Sequence, residues 1–456
     1  ARAGKGLAEA LLKPLQRIAF QPQAQLEGLA AAGRSVFIVG KREALCKAAE
    51  EVSAALGLPH LKKQAEGLSA GYAGATAETP WVDKEDKLRK VTLVSLPDAA
   101  GRCVAKSRPD VIAKQLHGKI AGHEVLLAVG EQDALSAGLA VARCISPYTA
   151  KTEKERQASV CNVSFLGCSP PAEVMRRLAG AADALRAAQG LVDLPPNVVN
   201  PSSFRDFALE AIRDVPEVTH ELIEGEELRD KGYGLLWAVG KSSSATPPCL
   251  LVLTHPGAKG SSPAKKARVG ENGEKGVAIV GKGITFDTGG AALKPREGMC
   301  GMKRDMGGAA GMFGAFLALA RGGGLPCGRP LHCVLCLAEN GIGPEMFLQD
   351  DILTAYSGLT VEINNTDAEG RLVLSDGVAH VAKHLNCDLV AEMATLTGAQ
   401  GISTGTHHGL ILASDETLER SVIDAGLRSG DMVHPGIFAP ELLMHEFDSD
   451  FADLKN

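Results

Sequence analysis

Two stretches of the chain collect chemically active side chains where glycines leave little else. The first runs Val277-Ala-Ile-Val-Gly-Lys282-Gly-Ile-Thr-Phe-Asp287-Thr-Gly-Gly, followed by Lys294 and by Lys303-Arg-Asp305-Met-Gly-Gly. The second is Val361-Glu-Ile-Asn-Asn-Thr-Asp367-Ala-Glu369-Gly-Arg371-Leu. Each charged group follows a strand-like apolar run, and the carboxyl ends of strands are where open α/β sheets form their ligand crevice. The alternation Asp367, Glu369, Arg371 reads as an extended backbone projecting all three to one side. Asp287, Asp305, Asp367 and Glu369 would then crowd four negative charges into a small volume, which is costly unless cations sit between them. Two divalent metals bridged by carboxylates are one solution. A salt-bridge network with Lys282, Lys294 and Arg371 is the other, and charge counting leaves both open.

Alternating strands and helices must position these groups. Ser35 to Gly40, Lys90 to Ser95 and Glu124 to Gly130 are short apolar runs closed by turn residues, and Glu43 to Leu56 between them has helical spacing. A helix follows from Ala172, and Leu194-Pro-Pro-Asn-Val-Val-Asn-Pro201 interrupts it. The expected organisation is an N-terminal α/β domain over 1–168, a linking helix over 169–193 and a larger α/β domain over 194–456, with a mixed sheet flanked by helices. Gly257 to Gly276 reads as a surface loop, its Lys265-Lys-Ala-Arg268 a solvated patch. The small residues Gly308, Gly311 and Gly314, just after Asp305, would let a helix pack closely.

Several lookalikes fall away. Lys241-Ser242 lacks the glycine spacing of a phosphate loop. Cys333-Val-Leu-Cys336 lies in a strand-like run, where residues three apart face opposite ways, so buried thiols are expected rather than a zinc pair. His407-His408 has no partner at metal-helix spacing. The 48 basic against 54 acidic residues give a net charge of −6 without a basic tract, and aromatics are only 4%. Nucleic acid and anionic membrane are therefore disfavoured as partners. Met306 to Ala320 is too short for a membrane span, and an odd set of 11 cysteines argues for a reducing compartment. The first residue is Ala1, read as following a lost leader or initiator.

The stretches Gly281-Lys-Gly-Ile-Thr-Phe-Asp-Thr-Gly-Gly, Met302-Lys-Arg-Asp-Met-Gly-Gly-Ala-Ala and above all Asn365-Thr-Asp-Ala-Glu-Gly-Arg-Leu372 resemble the leucine aminopeptidase family (cytosol aminopeptidases, peptidase family M17). Cys336-Leu-Ala-Glu-Asn and Gly430-Asp-Met-Val-His-Pro resemble its probable aminopeptidase-like-1 branch. The resemblance implies a macro-like N-terminal domain and a dinuclear aminopeptidase with zinc or manganese. Lys282, Asp287, Asp305 and Glu369 would hold the tighter metal. Asp287, Asp367 (side chain and carbonyl) and Glu369 would hold the exchangeable one. Lys282 would ligate as a neutral amine, its pKa depressed by the adjacent cations. Lys294 would stabilise the oxyanion, and Arg371 would hold a bicarbonate acting as general base. Thr395, Leu396 and Gly398 would line the substrate backbone, with Met302, Asn365 and Ala368 lining the first side-chain pocket. The substrates implied are peptides with a free N-terminus, the assembly a homohexamer, and the location the cytoplasm or, after leader removal, an organelle. Family members continue past the point where this chain stops, at Asn456. Two rival functions remain: a non-catalytic scaffold of a larger complex, and a cysteinylglycine-type dipeptidase.

Overall fold

The computed structural model describes residues 2–151, 158–243, 245–257 and 275–456. The Lys265 to Arg268 patch and most of its expected loop lie outside the described residues. Contacts divide the chain into two units, one of Lys13–Arg186 with Gly398–Phe438, the other of Ala1–Leu12, Ala187–Thr397 and Ala439–Asn456. The expected boundaries follow chain order, whereas the units interleave. The helix Ala172–Asp193, expected as the linker, is shared between them.

In the first unit, β1 (Gln16–Gln21), β2 (Val36–Lys41), β3 (Ala75–Val82), β4 (Leu88–Leu96), β5 (Glu124–Ala128) and β6 (Ser159–Phe165) form one sheet in the order β1-β6-β5-β2-β4-β3. All neighbours are parallel except β3 with β4. Burial on both faces explains the continuous apolar runs of β2 and β5. Val36 and Ile38 enter one core while Phe37 and Val39 enter the other. The antiparallel edge strand β3 alternates exposed and buried residues and carries Pro80, which an edge tolerates. The 398–438 segment belongs to this unit because its helix Glu416–Ser429 packs on the helix Ala134–Ala142. Gly430, at φ +83°, closes against Pro109, where an added Cβ would come within 3.0 Å of a ring carbon.

The second unit is built on β7 (Thr219–Glu224), β8 (Cys249–His255), β9 (Gly276–Asp287), β10 (Leu331–Asn340) and the strand Cys387–Met393. The order is Cys387–Met393, β9, β10, β8, β7, with the first two pairings parallel and the others antiparallel, which is the mixed sheet expected. On one face, Val280, Ile284, Val334 and Ala338 pack with Leu235, Leu236, Leu372, Val373 and Val381 of two helices. On the other lies the helix Gly307–Arg321, set very close: a Cβ on Gly281 would sit 2.4 Å from the Ala309 Cα, and one on Gly308 would sit 2.1 Å from the Met393 carbonyl oxygen. The small-residue face thus has the packing role expected for Gly308. Cys333 and Cys336 are buried, unpaired thiols, and only the second joins the first-face core.

One local expectation is corrected. The extended strand ends at Glu362, and Asn364 to Ala368 form turns before a helix begins at Glu369 and runs to His384. Two residues on a helix are about 200° apart, so Glu369 and Arg371 point to opposite sides. Glu369 is accordingly buried and Arg371 exposed.

Candidate active site

Adjacent parallel strands end side by side: Asp287 closes β9 and pairs in register with Asn340 at the end of β10. Lys282 lies earlier on β9, on a stretch otherwise apolar or glycine, and is 2% exposed. Its Nζ lies 2.8 Å from Asp305 Oδ2 and 2.9 Å from Glu369 Oε1. Asp305 follows the short turn Met302–Arg304, and its Oδ1 also accepts from the Thr395 hydroxyl at 2.8 Å. Gly370 makes the Lys282 approach feasible, because a Cβ there would stand 2.7 Å from Lys282 Cε.

The loop after β9 carries Lys294 back over the strand end. Its Nζ lies 2.9 Å from Asp287 Oδ2 and also pairs with Asp367. Carboxylate oxygens of Asp287, Asp367 and Glu369 all lie within 4.8 Å of one another, an arrangement able to hold a metal ion. Asp287, Asp305 and Glu369 are buried, and the Asp367 side chain is 31% exposed.

The charge balance bears on what counting residues left open. Lys282 and Lys294 are the two cations in the cluster, facing four carboxylates. Arg371 makes no ion pair with these acids among the described residues; its guanidinium lies over the Phe447 ring, 5.7 Å from the centroid. The cluster is therefore short of positive charge. Burial first, then the neighbouring Asp287 and Asp305 charges, push the Glu369 carboxyl up to about 7 despite Lys282. Asp305 is raised too, chiefly by burial. Burial lowers the Lys282 pKa, but Glu369 and Asp305 outweigh it and hold the ammonium form. In this arrangement Lys282 stands as the counter-ion, so its expected depressed pKa requires added cations. Asp305 Oδ2 and Asp367 Oδ1 are buried without a well-directed hydrogen bond, each meeting a lysine Nζ. Hard oxygen donors with excess negative charge fit divalent cations.

The remaining expected residues divide. Thr395 joins the cluster through Asp305, and its carbonyl lies 3.4 Å from Lys282 Nζ. Leu396 lies against Gly370. The Asn365 side chain accepts from the Asp367 N–H at 2.9 Å, shaping the turn that presents Asp367. Met302 and Ala368 flank Asp305 and Glu369 in the chain, both partly buried. Gly398 is exposed, precedes the helix Ala399–Thr404 and groups with the other unit. Asn340 and Thr366, both fully buried, escaped sequence reasoning as site residues. A polar residue closing an apolar strand beside β9 was the available signal for Asn340.

A mixed α/β unit that brings lysines and surplus carboxylates together at parallel strand ends has the site of a metal-dependent hydrolase. Residues 186–456 match the catalytic domain of the cytosol aminopeptidase family, and residues 34–154 match M17 aminopeptidase N-terminal domain 2. The chain is 38% identical over 379 residues to "Probable aminopeptidase NPEPL1" of Mus musculus, spanning 81% of this chain and 69% of that protein. It superposes on the apo leucyl aminopeptidase of Trypanosoma cruzi with a TM-score of 0.86 at 33% identity, covering 99% of this chain and 88% of that one. Against the Trypanosoma brucei leucyl aminopeptidase in complex with bestatin the TM-score is 0.85 at 31% identity, covering 100% and 88%. The chain belongs to the cytosol aminopeptidase family, M17, and is a metallo-aminopeptidase.

Proposed function

We propose that the cluster holds two divalent cations and that the protein releases N-terminal amino acids from peptides. Lys282, Asp287, Asp305 and Glu369 are the ligands of one cation; Asp287, Asp367 and Glu369 are those of the other. The uncompensated negative charge of these side chains is the observation that carries this reading. When bound, such cations supply Lewis acidity and a water acidified for attack on a carbonyl. Lys294 is held as an ammonium: burial opposes this, but hydrogen bonds to Asp367 and Asp287 prevail and raise its pKa. It can therefore donate to a carbonyl oxygen as charge develops there. Thr395 and Leu396, on the segment after the strand Cys387–Met393, line the extended substrate backbone, with Gly398 beyond them. Met302, Asn365 and Ala368 shape the first side-chain pocket. Arg371, exposed at the helix start with its guanidinium over the Phe447 ring, would hold a bicarbonate, which would supply a general base once bound. A neutral α-amine would be a further ligand for one of the cations once bound, which fits peptides with a free N-terminus. A homohexamer and a cytoplasmic location are part of the same proposal. No helix among the described residues is long and apolar enough to cross a membrane.

The test pairs metal content with substrate choice. Wild type should carry two Mn2+ per chain and cleave leucyl amides but not their N-acetyl forms, while Asp287→Ala should lose both metal and activity. Full activity in metal-depleted Asp287→Ala would overturn the assignment.

A further inference from the structure

Asn340 lies against two carboxylates of the cluster, Asp287 and Glu369, yet carries no charge. It is 0% exposed and closes β10, opposite Asp287 on β9. The register slips just before it: Ala338 pairs with Ile284 but Asn340 with Asp287, so β9 holds one extra residue there. Such a bulge re-aims side chains at a strand end. Asn340 Nδ2 donates to Asp287 Oδ1 at 2.8 Å and to the Thr366 carbonyl at 3.1 Å, with Glu369 Oε2 at 3.5 Å. Asp287 Oδ1 and the Thr366 carbonyl accept from it, which sets the amide orientation.

The consequences for Asp287 are specific. Its Oδ1 is anchored twice, by Asn340 and by the Gly289 N–H at 2.9 Å, leaving Oδ2 turned toward Lys294. The bond to the Thr366 carbonyl ties the turn bearing Asp367 and Glu369 to the same point. The Thr366 hydroxyl continues the tie, donating to the Gly289 carbonyl at 2.6 Å and accepting from Ala292 N–H at 2.8 Å. The Asn340 backbone carbonyl in turn accepts from the Thr288 N–H and hydroxyl, at 3.0 and 2.7 Å. A neutral donor suits this position. A lysine would cancel the charge a cation needs, and an acid would add repulsion.

Resting on the two-cation reading above, we propose that Asn340 is a positioning residue that orients Asp287 and the Asp367–Glu369 turn for metal binding. The test compares Asn340→Leu, which keeps the branched shape and fills the space without a donor, with Asn340→Ala, which loses both. Mn2+ affinity of the full chain is measured by calorimetry, alongside the melting temperature of the metal-free protein. Both variants should bind Mn2+ roughly 10- to 100-fold more weakly, and the metal-free Leu variant should fold but melt below wild type, because the Thr366 carbonyl loses its donor. If one variant fails to fold, the other carries the comparison; if both fail, fixed donor geometry is not what the position supplies and the inference falls. Wild-type affinity in Asn340→Leu would show that only volume matters and would likewise overturn it. Absence of Mn2+ binding by wild type would overturn the two-cation reading itself, a failure visible before any variant is made.

Discussion

Replacing Lys294 by methionine separates a catalytic ammonium from a metal ligand. The side chain is 15% exposed and bridges Asp287 and Asp367. Methionine keeps much of its stem and removes its charge. In the metal-free protein the four carboxylates would then face Lys282 alone. Breaking a buried pair costs about 3–5 kcal/mol, and the partial exposure of Asp367 screens this to about 2–3 kcal/mol. Thermal unfolding should therefore fall clearly without metal and recover when Mn2+ is added. Mn2+ stoichiometry should stay at the wild-type value, because the ammonium repels cations and its loss does not weaken their binding. Turnover should nevertheless drop about 10²- to 10³-fold, as when an oxyanion donor is removed, with kcat and kcat/KM falling together. The assay is leucyl amide hydrolysis at saturating Mn2+, with metal content measured on the same sample. A variant retaining more than about a third of wild-type kcat would refute the oxyanion role. Loss of metal together with kcat would make Lys294 part of the binding site instead.

Two further outcomes concern the support behind the site. Asp376 is fully buried on the helix that Glu369 begins, accepting from the Leu235, Leu236 and Tyr356 N–H groups at 3.0, 2.9 and 2.7 Å. Asp376→Ala leaves two buried donors and a partly buried one unpaired and should lower stability by about 2–6 kcal/mol, measured by urea unfolding; a loss below about 1 kcal/mol would contradict this bonding. Burial holds neutral both His332, which meets the Thr254 hydroxyl at 2.9 Å, and His380, which meets the Tyr233 hydroxyl at 2.7 Å. Burial pushes each pKa down to about 4 from 6.5. A folded pKa below the unfolded one means stability is lost as pH falls from 6.5 toward 4, by about 1.4 kcal/mol per pH unit for each histidine. His380→Gln should remove one such increment from the slope of unfolding free energy against pH, and an unchanged slope would show that His380 already titrates in the folded state.

What was legible in the sequence was residue type out of place. Lysine and aspartate on the glycine-flanked strand Val277 to Asp287 have no surface explanation, and they stand at the strand end where an α/β sheet opens. The error over Asp367, Glu369 and Arg371 has an equally physical source. Charge alternation over five residues looks the same on a strand and across a turn into a helix, and the helical period becomes visible only further on, at Leu372, Val373 and Val381. That difference decides whether Arg371 joins the acids or leaves them. Asn340 was hidden for another reason: its meaning depends on the register between β9 and β10, which are separated in the chain by a loop and a helix. The grouping of 398–438 with the N-terminal strands is likewise a matter of long-range packing that local pattern does not encode.

The departure of Arg371 has a consequence for how the fold tolerates its own site. With three cations the four acids would be nearly neutralised, and a metal would have to displace formed ion pairs. With two, the surplus must be borne by the protein until cations arrive. Neutral donors carry that burden: Asn340 and the Gly289 N–H on Asp287, and the Thr395 hydroxyl on Asp305. Such donors hold carboxylates in place without competing for their charge. The raised Glu369 and Asp305 pKa values mark the strain that remains. The site is in this sense pre-organised but electrostatically incomplete, so divalent cations should add stability by binding the folded state alone. That stabilisation should shrink when a neutral donor is removed, because the acids are then no longer held in one arrangement, and grow when Lys294 is removed, because the charge deficit deepens. Opposite signs from two substitutions lining the same cluster would separate geometry from charge as the source of metal binding.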